Sequence, residues 1–349
     1  MDLTSDRLVA AFVFPEVWTD RTRFRELLAA LRDYGVNSLL TETDRYDEAA
    51  IDAAHEAGLR SYAGIACFSD HATSFHKIRE RPELWPVLET GERRPQMEWY
   101  VGITPTDRRK QREVLSTIQS VAAAYPIDGL FLDFVRWPLH WEIELRPSHP
   151  RPLDSSFDPG TLSTFEEATG VELPPDTVPA EVRADWILKR HPREWVDFKC
   201  GVITKFVGEA RAILKGTRQE AALGLFVVPE VDGRTEGLTG QRLRDLAPLA
   251  DFVAPMLYHN ILLRPSRWIG EVLAAVVPVA GDKTLPVLQV DSNRDPALVA
   301  DWGPPMSSED WRATLAEVAG RKDLAGLAVF PGDSLMRNGR GRLLREVVG

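Results

Sequence analysis

Two residues of opposite charge follow an apolar run in the segment YPIDGLFLDFVRWP, which spans residues 125–138. Asp133 and Arg136 lie three positions apart there, so the guanidinium can reach the carboxylate. A neighbouring cation lowers the pKa of a carboxyl group and keeps it ionised, as a nucleophile requires. We therefore predict a catalytic or substrate-binding role for Asp133. A salt bridge that only fixes the loop is the alternative.

A second carboxylate follows a later apolar run, in the segment LFVVPEVDG. Apolar neighbours raise the pKa of a carboxyl group, so Glu230 can serve as a general acid, and Asp232 is close enough to exchange roles with it. Cleavage of a glycosidic bond is the reaction that most needs such a pair. One carboxyl protonates the leaving oxygen, and the other attacks the anomeric carbon or activates water.

Other polar and aromatic side chains also stand directly after apolar runs. We predict that these residues bind the substrate: Glu42, His71, Arg136, Trp137, Tyr258, His259, Gln289 and Asp291. Tryptophan suits this role because the apolar face of a sugar ring stacks on an indole. The alternatives are local ones, since Glu42 can cap the helix that follows it and His259 can be hydrogen-bonded within its own loop.

The apolar runs themselves predict strands that are buried on both faces, as in a parallel sheet. They cover residues 8–14, 36–41, 59–68, 127–135, 221–228, 251–258, 284–290 and 324–330. Helical patterns alternate with them over residues 21–34, 47–57, 107–124, 194–215, 239–249, 265–278, 307–319 and 339–347. This order predicts an α/β fold, a (β/α)8 TIM barrel, in which the carboxyl ends of all strands meet at one face.

Two connections exceed the usual length, at residues 69–106 after the third strand and 136–193 after the fourth. We predict one catalytic barrel over residues 1–349, with residues 136–193 inserted as a lid or small subdomain. Both long connections then lie over the face that holds the active site of barrel enzymes.

Composition limits the partners and cofactors. The chain has 42 basic and 52 acidic residues, a formal charge of −10, which disfavours nucleic acids and anionic membranes. No apolar run approaches the roughly 20 residues that span a bilayer. We expect a cytoplasmic protein as the sequence stands, or a secreted one if a leader preceded it. We also expect a carbohydrate substrate, no metal and no cofactor, and possible assembly into a homo-oligomer.

Three segments carry a resemblance to a known family. IDGLFLDFVRWP resembles the fourth-strand segment of bacterial glycosyl hydrolases that were long catalogued as a domain of unknown function. LPVLQVDS is similar to the seventh-strand segment of that group, and GLTGQRLRDLAPLADFVAPMLYHN to the segment before it. This last match falls on Gly240, Gln241, Leu246, Ala247, Asp251, Pro255, Met256 and Tyr258.

The resemblance covers residues 125–335 and implies a TIM barrel distantly related to amylase-like and α-galactosidase-like glycoside hydrolases. It implies that Asp133 is the nucleophile and Glu230 the acid/base. The chain departs from the group after Tyr258, where it has His259 and Asn260 in place of a Pro-Ser-His run. We predict a retaining glycoside hydrolase, because adjacent fourth and fifth strands favour a short carboxyl separation. A barrel that binds glycans without turnover and a carbohydrate lyase with His259 as base are the alternatives.

Overall fold

The computed structural model describes residues 7–43, 45–71, 76–97, 100–229, 233–292 and 302–349. Ten strands occur in these ranges: β1 Leu8–Phe12, β2 Ser38–Glu42, β3 Arg60–Ala66, β4 Ser69–His71, β5 Tyr100–Gly102, β6 Gly129–Asp133, β7 Ala222–Val227, β8 Phe252–Leu257, β9 Val287–Gln289 and β10 Gly326–Phe330. All but β4 and β5 close into a parallel barrel in the order β1-β10-β9-β8-β7-β6-β3-β2. The predicted (β/α)8 barrel is confirmed: seven of the eight predicted apolar runs contain a barrel strand, and β2 extends one residue beyond the run 36–41, to Glu42.

Helices cover the outside of the barrel and parts of the long connections. They are α1 Arg21–Asp33, α2 Glu48–Glu56, α3 His76–Glu80, α4 Arg108–Ala124, α5 Trp141–Glu144, α6 Pro159–Thr169, α7 Ala180–Arg190, α8 Pro192–Thr217, α9 Arg234–Thr239, α10 Leu243–Leu246, α11 Arg267–Ala280, α12 Ser308–Ala316 and α13 Arg340–Val348. Capping side chains stand at the amino-terminal ends of several helices. The carboxylates of Asp20, Asp47 and Asp107 accept backbone N–H groups at the starts of α1, α2 and α4.

Aromatic rings fill the interior of the barrel. Tyr62 of β3 and Phe252 of β8 meet edge to face at 6.3 Å, although their strands are not neighbours, so both rings lie inside. Phe131 stacks on Phe252 at 6.1 Å. A Cβ at Gly224 would lie 2.3 Å from the Phe131 ring, and the absence of a side chain there lets the ring fit. This packed interior forms the floor beneath the strand ends.

The two long connections contact each other above the barrel. The connection after β3 contains the antiparallel pair β4–β5 and α3, and the connection after β6 contains α5, α6 and α7. Leu88 and Ser155 form a backbone bridge between them, and Arg94 pairs with Glu144. Side chains from both connections therefore reach the same region of the carboxyl-terminal face. The assignment of residues 136–193 as a lid or small subdomain within one domain stays a prediction.

None of the helices in the described ranges has the length and apolar character needed to span a bilayer.

Candidate active site

A cavity of about 280 Å³ opens at the carboxyl ends of the barrel strands. Phe12, Glu42, Asp133 and Phe330 line it, and each is the last residue of its strand. The other lining residues include carboxylates, one guanidinium and several aromatic rings. They are Glu16, Glu142, Arg136, Phe14, Phe134, Trp141, Phe226, Tyr258 and Trp302. The geometry of the barrel thus brings together residues that are far apart in the chain.

Asp133 occupies the end of β6 and keeps 18% of its side-chain surface exposed. The backbone N–H of Phe134 donates to its Oδ1 at 2.6 Å, and Nη1 of Arg136 lies 3.8 Å from the same oxygen. Burial nevertheless raises the pKa of Asp133, while Arg136 and the Phe134 N–H act in the opposite direction. The expected net lowering by Arg136 is therefore wrong in sign, because the loss of solvent outweighs the nearby cation.

The chain turns sharply directly after Asp133. Phe134 has a φ of +49°, a left-handed conformation that is uncommon for an aromatic residue. This turn lets Arg136 lie over the Phe134 ring, with its guanidinium carbon 4.6 Å from the ring centre. Arg136 is only 3% exposed, and its buried Nη1 has no hydrogen-bond partner among the described residues. A donor of this kind beside the cavity can bind a substrate oxygen.

Glu142 is a cavity residue that the sequence analysis missed. It lies in the first turn of α5, is 5% exposed, and accepts a hydrogen bond from the Tyr100 hydroxyl at 3.0 Å. Burial, with a smaller contribution from the Asp133 charge, raises the pKa of Glu142 to about 7, although Arg136 and the Tyr100 hydroxyl act in the opposite direction. The sequence feature that could have indicated Glu142 is its place beside a tryptophan in the segment HWEIE, nine positions after Asp133.

Replacing Glu142 by glutamine is expected to stabilise the protein at pH 8 more than at pH 5. The folded pKa of about 7 exceeds the ordinary value of 4.5, so folding takes up a proton between these values and stability falls as pH rises through the range. The glutamine variant lacks this loss, which is worth about 1–3 kcal/mol at pH 8. Denaturant unfolding at both pH values measures it. The exposed Glu209→Gln serves as control, and an equal gain at both pH values in Glu142→Gln would contradict the expectation.

Aromatic rings form one wall of the cavity. Tyr258 and Trp302 both stack on Phe330, with ring centres 5.1 and 5.2 Å apart, and Tyr258 also contacts Trp141 at 5.7 Å. Burial raises the pKa of Tyr258 well above its ordinary value, so its hydroxyl remains a neutral hydrogen-bonding group. Stacked aromatic rings and carboxylates in one cavity suit a ligand ring that has both C–H faces and hydroxyl groups.

Four predicted substrate-binding residues do not line this cavity. Trp137 is fully buried and donates its Nε1–H to the carbonyl of Lys199. Gln289 accepts the Ile261 N–H and donates to the carbonyls of Asp291 and Trp302. The carboxylate of Asp291 pairs with Arg340 at 2.5 Å. These contacts place the three residues in the frame that supports the cavity wall.

His259 is the fourth of these residues. It is 5% exposed, its Nε2 lies 3.5 Å from the Thr314 hydroxyl, and burial lowers its pKa to about 4. His259 is therefore a neutral side chain within the structural frame at ordinary pH.

The side chains of the remaining predicted site residues are not among those that the structure describes. Glu230 and Asp232 lie outside the described residues, and so does the side chain of His71. Glu42, Asp133, Arg136 and Tyr258 are thus the predicted residues that the cavity brings together. Within the described ranges, no group of three or more histidines, cysteines or acids is arranged to hold a metal ion.

Comparison with solved structures identifies proteins of the same fold. The PgaB (BpsB) glycoside hydrolase domain from Bordetella bronchiseptica aligns with a TM-score of 0.71 at 17% identity, covering 98% of this chain and 99% of that one. The catalytic domain of the beta-amylase from Paenibacillus polymyxa aligns with a TM-score of 0.62 at 12% identity, covering 98% of both chains. The beta-galactosidase from the psychrophilic Marinomonas ef1 aligns with a TM-score of 0.66 at 12% identity, covering 98% of this chain and 59% of that one.

No protein-family model and no curated protein matches the chain. At these identities the structural likeness establishes a shared fold, and the three proteins that share it are glycoside hydrolases.

Proposed function

We propose that this protein is a glycoside hydrolase whose substrate binds in the cavity at the carboxyl ends of the strands. The observation that carries the proposal is a cavity lined both by Asp133 and further carboxyl groups and by aromatic rings. Carboxyl groups supply the acid and the nucleophile of glycoside cleavage, and the aromatic wall supplies the stacking surface for a sugar ring. The names of the structural neighbours support the same reaction class.

Asp133 is the proposed nucleophile. Its carboxylate is held at the cavity by the Phe134 N–H and by Arg136, and it retains exposed surface toward the substrate. In the first step an Asp133 oxygen bonds to the anomeric carbon while the bond from that carbon to the leaving oxygen breaks. In the second step water attacks the same carbon and releases Asp133. Two displacements at one carbon retain its configuration.

Charge restricts the sugar that fits. Glu16, Glu42 and Asp133 line the cavity with Arg136 as the neighbouring cation, so the cavity repels strongly anionic sugars. We propose a neutral or cationic glycan as substrate. Glu230, which the sequence predicts as the acid/base, lies outside the described residues.

The two alternative functions have less support from the structure. A lyase that uses His259 as its base needs that side chain at the substrate, whereas His259 is buried and does not line the cavity. A barrel that only binds glycans would have no need for a buried carboxyl group with a raised pKa beside Asp133.

Wild-type protein is expected to release reducing sugar from at least one member of a panel of polysaccharides and aryl glycosides. Proton NMR of the first product is expected to show the anomeric configuration of the substrate. An inverted product would instead make Asp133 a base that activates water. Tight glycan binding with no product over a long incubation would overturn the hydrolase proposal, and an unsaturated product that absorbs in the ultraviolet would indicate a lyase.

A further inference from the structure

The proposed reaction needs a proton donor for the leaving oxygen, and the cavity contains a candidate that neither the sequence nor the resemblance indicated. Glu142 lines the same cavity as Asp133 and follows it by nine positions, in the first turn of α5. We propose that Glu142 is the general acid/base of this glycoside hydrolase and that Tyr100 positions its carboxyl group. This inference rests on the function proposed above.

The surroundings of the two carboxyl groups differ in the way that an acid and a nucleophile require. Glu142 is 5% exposed, whereas the side chain of Asp133 is 18% exposed and accepts a backbone N–H at 2.6 Å. Burial, with a smaller contribution from the Asp133 charge, raises the pKa of Glu142 to about 7, although Arg136 and Tyr100 act in the opposite direction. Near neutral pH a substantial fraction of Glu142 is therefore protonated and can donate. Burial raises the pKa of Asp133 as well, but its exposed surface, the Phe134 N–H and Arg136 all favour its ionised form, which is the form a nucleophile requires.

Tyr100 can serve both protonation states of Glu142. Its hydroxyl oxygen lies 3.0 Å from Oε2 of Glu142 and 3.1 Å from the carbonyl oxygen of Leu139. When Glu142 is ionised, the hydroxyl donates its hydrogen to the carboxylate. When Glu142 is protonated on Oε1, the hydroxyl can still donate to Oε2, and Oε1 carries the proton that the leaving oxygen receives. Tyr100 thus holds the Glu142 carboxyl group in place before and after the transfer.

Glu142 gives up a proton in the first step and recovers one in the second. In the first step its proton moves to the glycosidic oxygen as Asp133 bonds to the anomeric carbon and the alcohol leaves. In the second step the Glu142 carboxylate takes a proton from water, the water oxygen bonds to the anomeric carbon, and the bond to Asp133 breaks. Glu142 ends protonated and Asp133 ionised, as both began.

Leaving-group dependence of Glu142→Gln tests the assignment. The probes are the 2,4-dinitrophenyl and phenyl glycosides of the sugar that wild type releases. The dinitrophenolate departs without a proton, so we expect the variant to retain kcat/KM, which reports the first step, within about tenfold on that glycoside and to lose about 10²-fold or more of kcat/KM on the phenyl glycoside. Added azide is expected to accelerate turnover of the variant and to form the glycosyl azide. Glu16→Gln removes a carboxylate from the same cavity and is expected to change both rates by the same factor.

Glu230→Gln distinguishes the two candidate acids. If this variant shows the leaving-group dependence and the azide product while Glu142→Gln does not, the role belongs to Glu230 and the inference is overturned. Equal losses of Glu142→Gln on both glycosides would also overturn it, since that result indicates a structural role. Wild type that cleaves no glycoside would instead refute the proposed function, and the catalytic role of Glu142 with it.

The pH profile supplies a second readout. An acid must be protonated, so kcat/KM of wild type is expected to fall as pH rises through about 7, and Glu142→Gln is expected to lack this limb. Tyr100→Phe removes a donor that favours the ionised carboxyl, so we expect the limb to move to higher pH by about 0.5–1 unit. An unchanged limb in both variants would contradict the inference.

Discussion

Asp133→Asn is expected to reduce glycoside turnover by about 10³-fold or more, equivalent to about 4 kcal/mol of transition-state stabilisation. The amide has nearly the shape of the carboxylate and can still accept the Phe134 N–H at its oxygen, so the fold is expected to persist. It lacks the negative charge that forms the bond to the anomeric carbon. Release of reducing sugar by wild type and variant measures the loss, with circular dichroism as the test of folding.

Asp128→Asn is the matched control for this experiment. Asp128 directly precedes β6, whereas Asp133 ends it, so the same substitution is made at opposite ends of one strand. Asp128 accepts the Ser61 N–H at 2.7 Å and lies 2.9 Å from His55, at the amino-terminal face of the barrel. Contacts at that face contribute to stability and not to catalysis. Equal turnover by wild type and Asp133→Asn would reduce the Asp133–Arg136 pair to a salt bridge that fixes the loop.

The barrel could be predicted from the sequence because each strand is buried on both faces and therefore reads as a continuous apolar run. The same property locates the residues that end the strands. Glu42 directly follows the predicted run 36–41, and Asp133 lies near the end of the run 127–135; both line the cavity as the last residues of β2 and β6. No knowledge of the connecting loops was needed for either residue.

Residues beyond the strand ends were harder to place, because the loops take their conformation from distant contacts. The positive φ of Phe134 turns the chain, so that Arg136 lines the cavity while Trp137 lies in the core beside α8. Trp137 fits there because a side chain at Gly240 would lie 2.6 Å from its ring. The carboxyl group of Glu142 is held by a hydrogen bond from Tyr100, which belongs to the other long connection. Such pairs cannot be read from the spacing within one segment.

The pKa shifts of the cavity carboxyl groups also could not be predicted from the spacing of residues in the sequence. The distance in sequence between Asp133 and Arg136 correctly suggested an ion pair, and the two charges lie 3.8 Å apart. The sign of the pKa shift depends on how far the cavity excludes water, which is a property of the folded barrel and its insertions. The same burial gives Glu142 its raised pKa.

Asp154→Ala is expected to lower the free energy of unfolding by about 3–5 kcal/mol, because it leaves a buried charge without its partner. Lys199 of α8 is fully buried and pairs with Asp154 of the 136–193 connection. Trp195 also donates to the Asp154 carboxylate, at 2.8 Å. Burial lowers the pKa of Lys199 and Asp154 raises it, so the cost is expected to diminish as rising pH deprotonates Lys199.

Denaturant unfolding measures this loss, and Asp185→Ala is its control. Asp185 pairs with Lys189 on the exposed surface of α7, where side-chain exposures are 58% and 72%, and such a pair contributes at most about 0.5 kcal/mol. Equal losses in the two variants would show that the buried pair does not hold the connection. A large loss for Asp154→Ala alone would mean that this part of the 136–193 connection is anchored to α8. Arg94 pairs with Glu144 of α5 and donates to the carbonyl of Leu153, so the same anchor also holds α5, with Glu142, at the cavity.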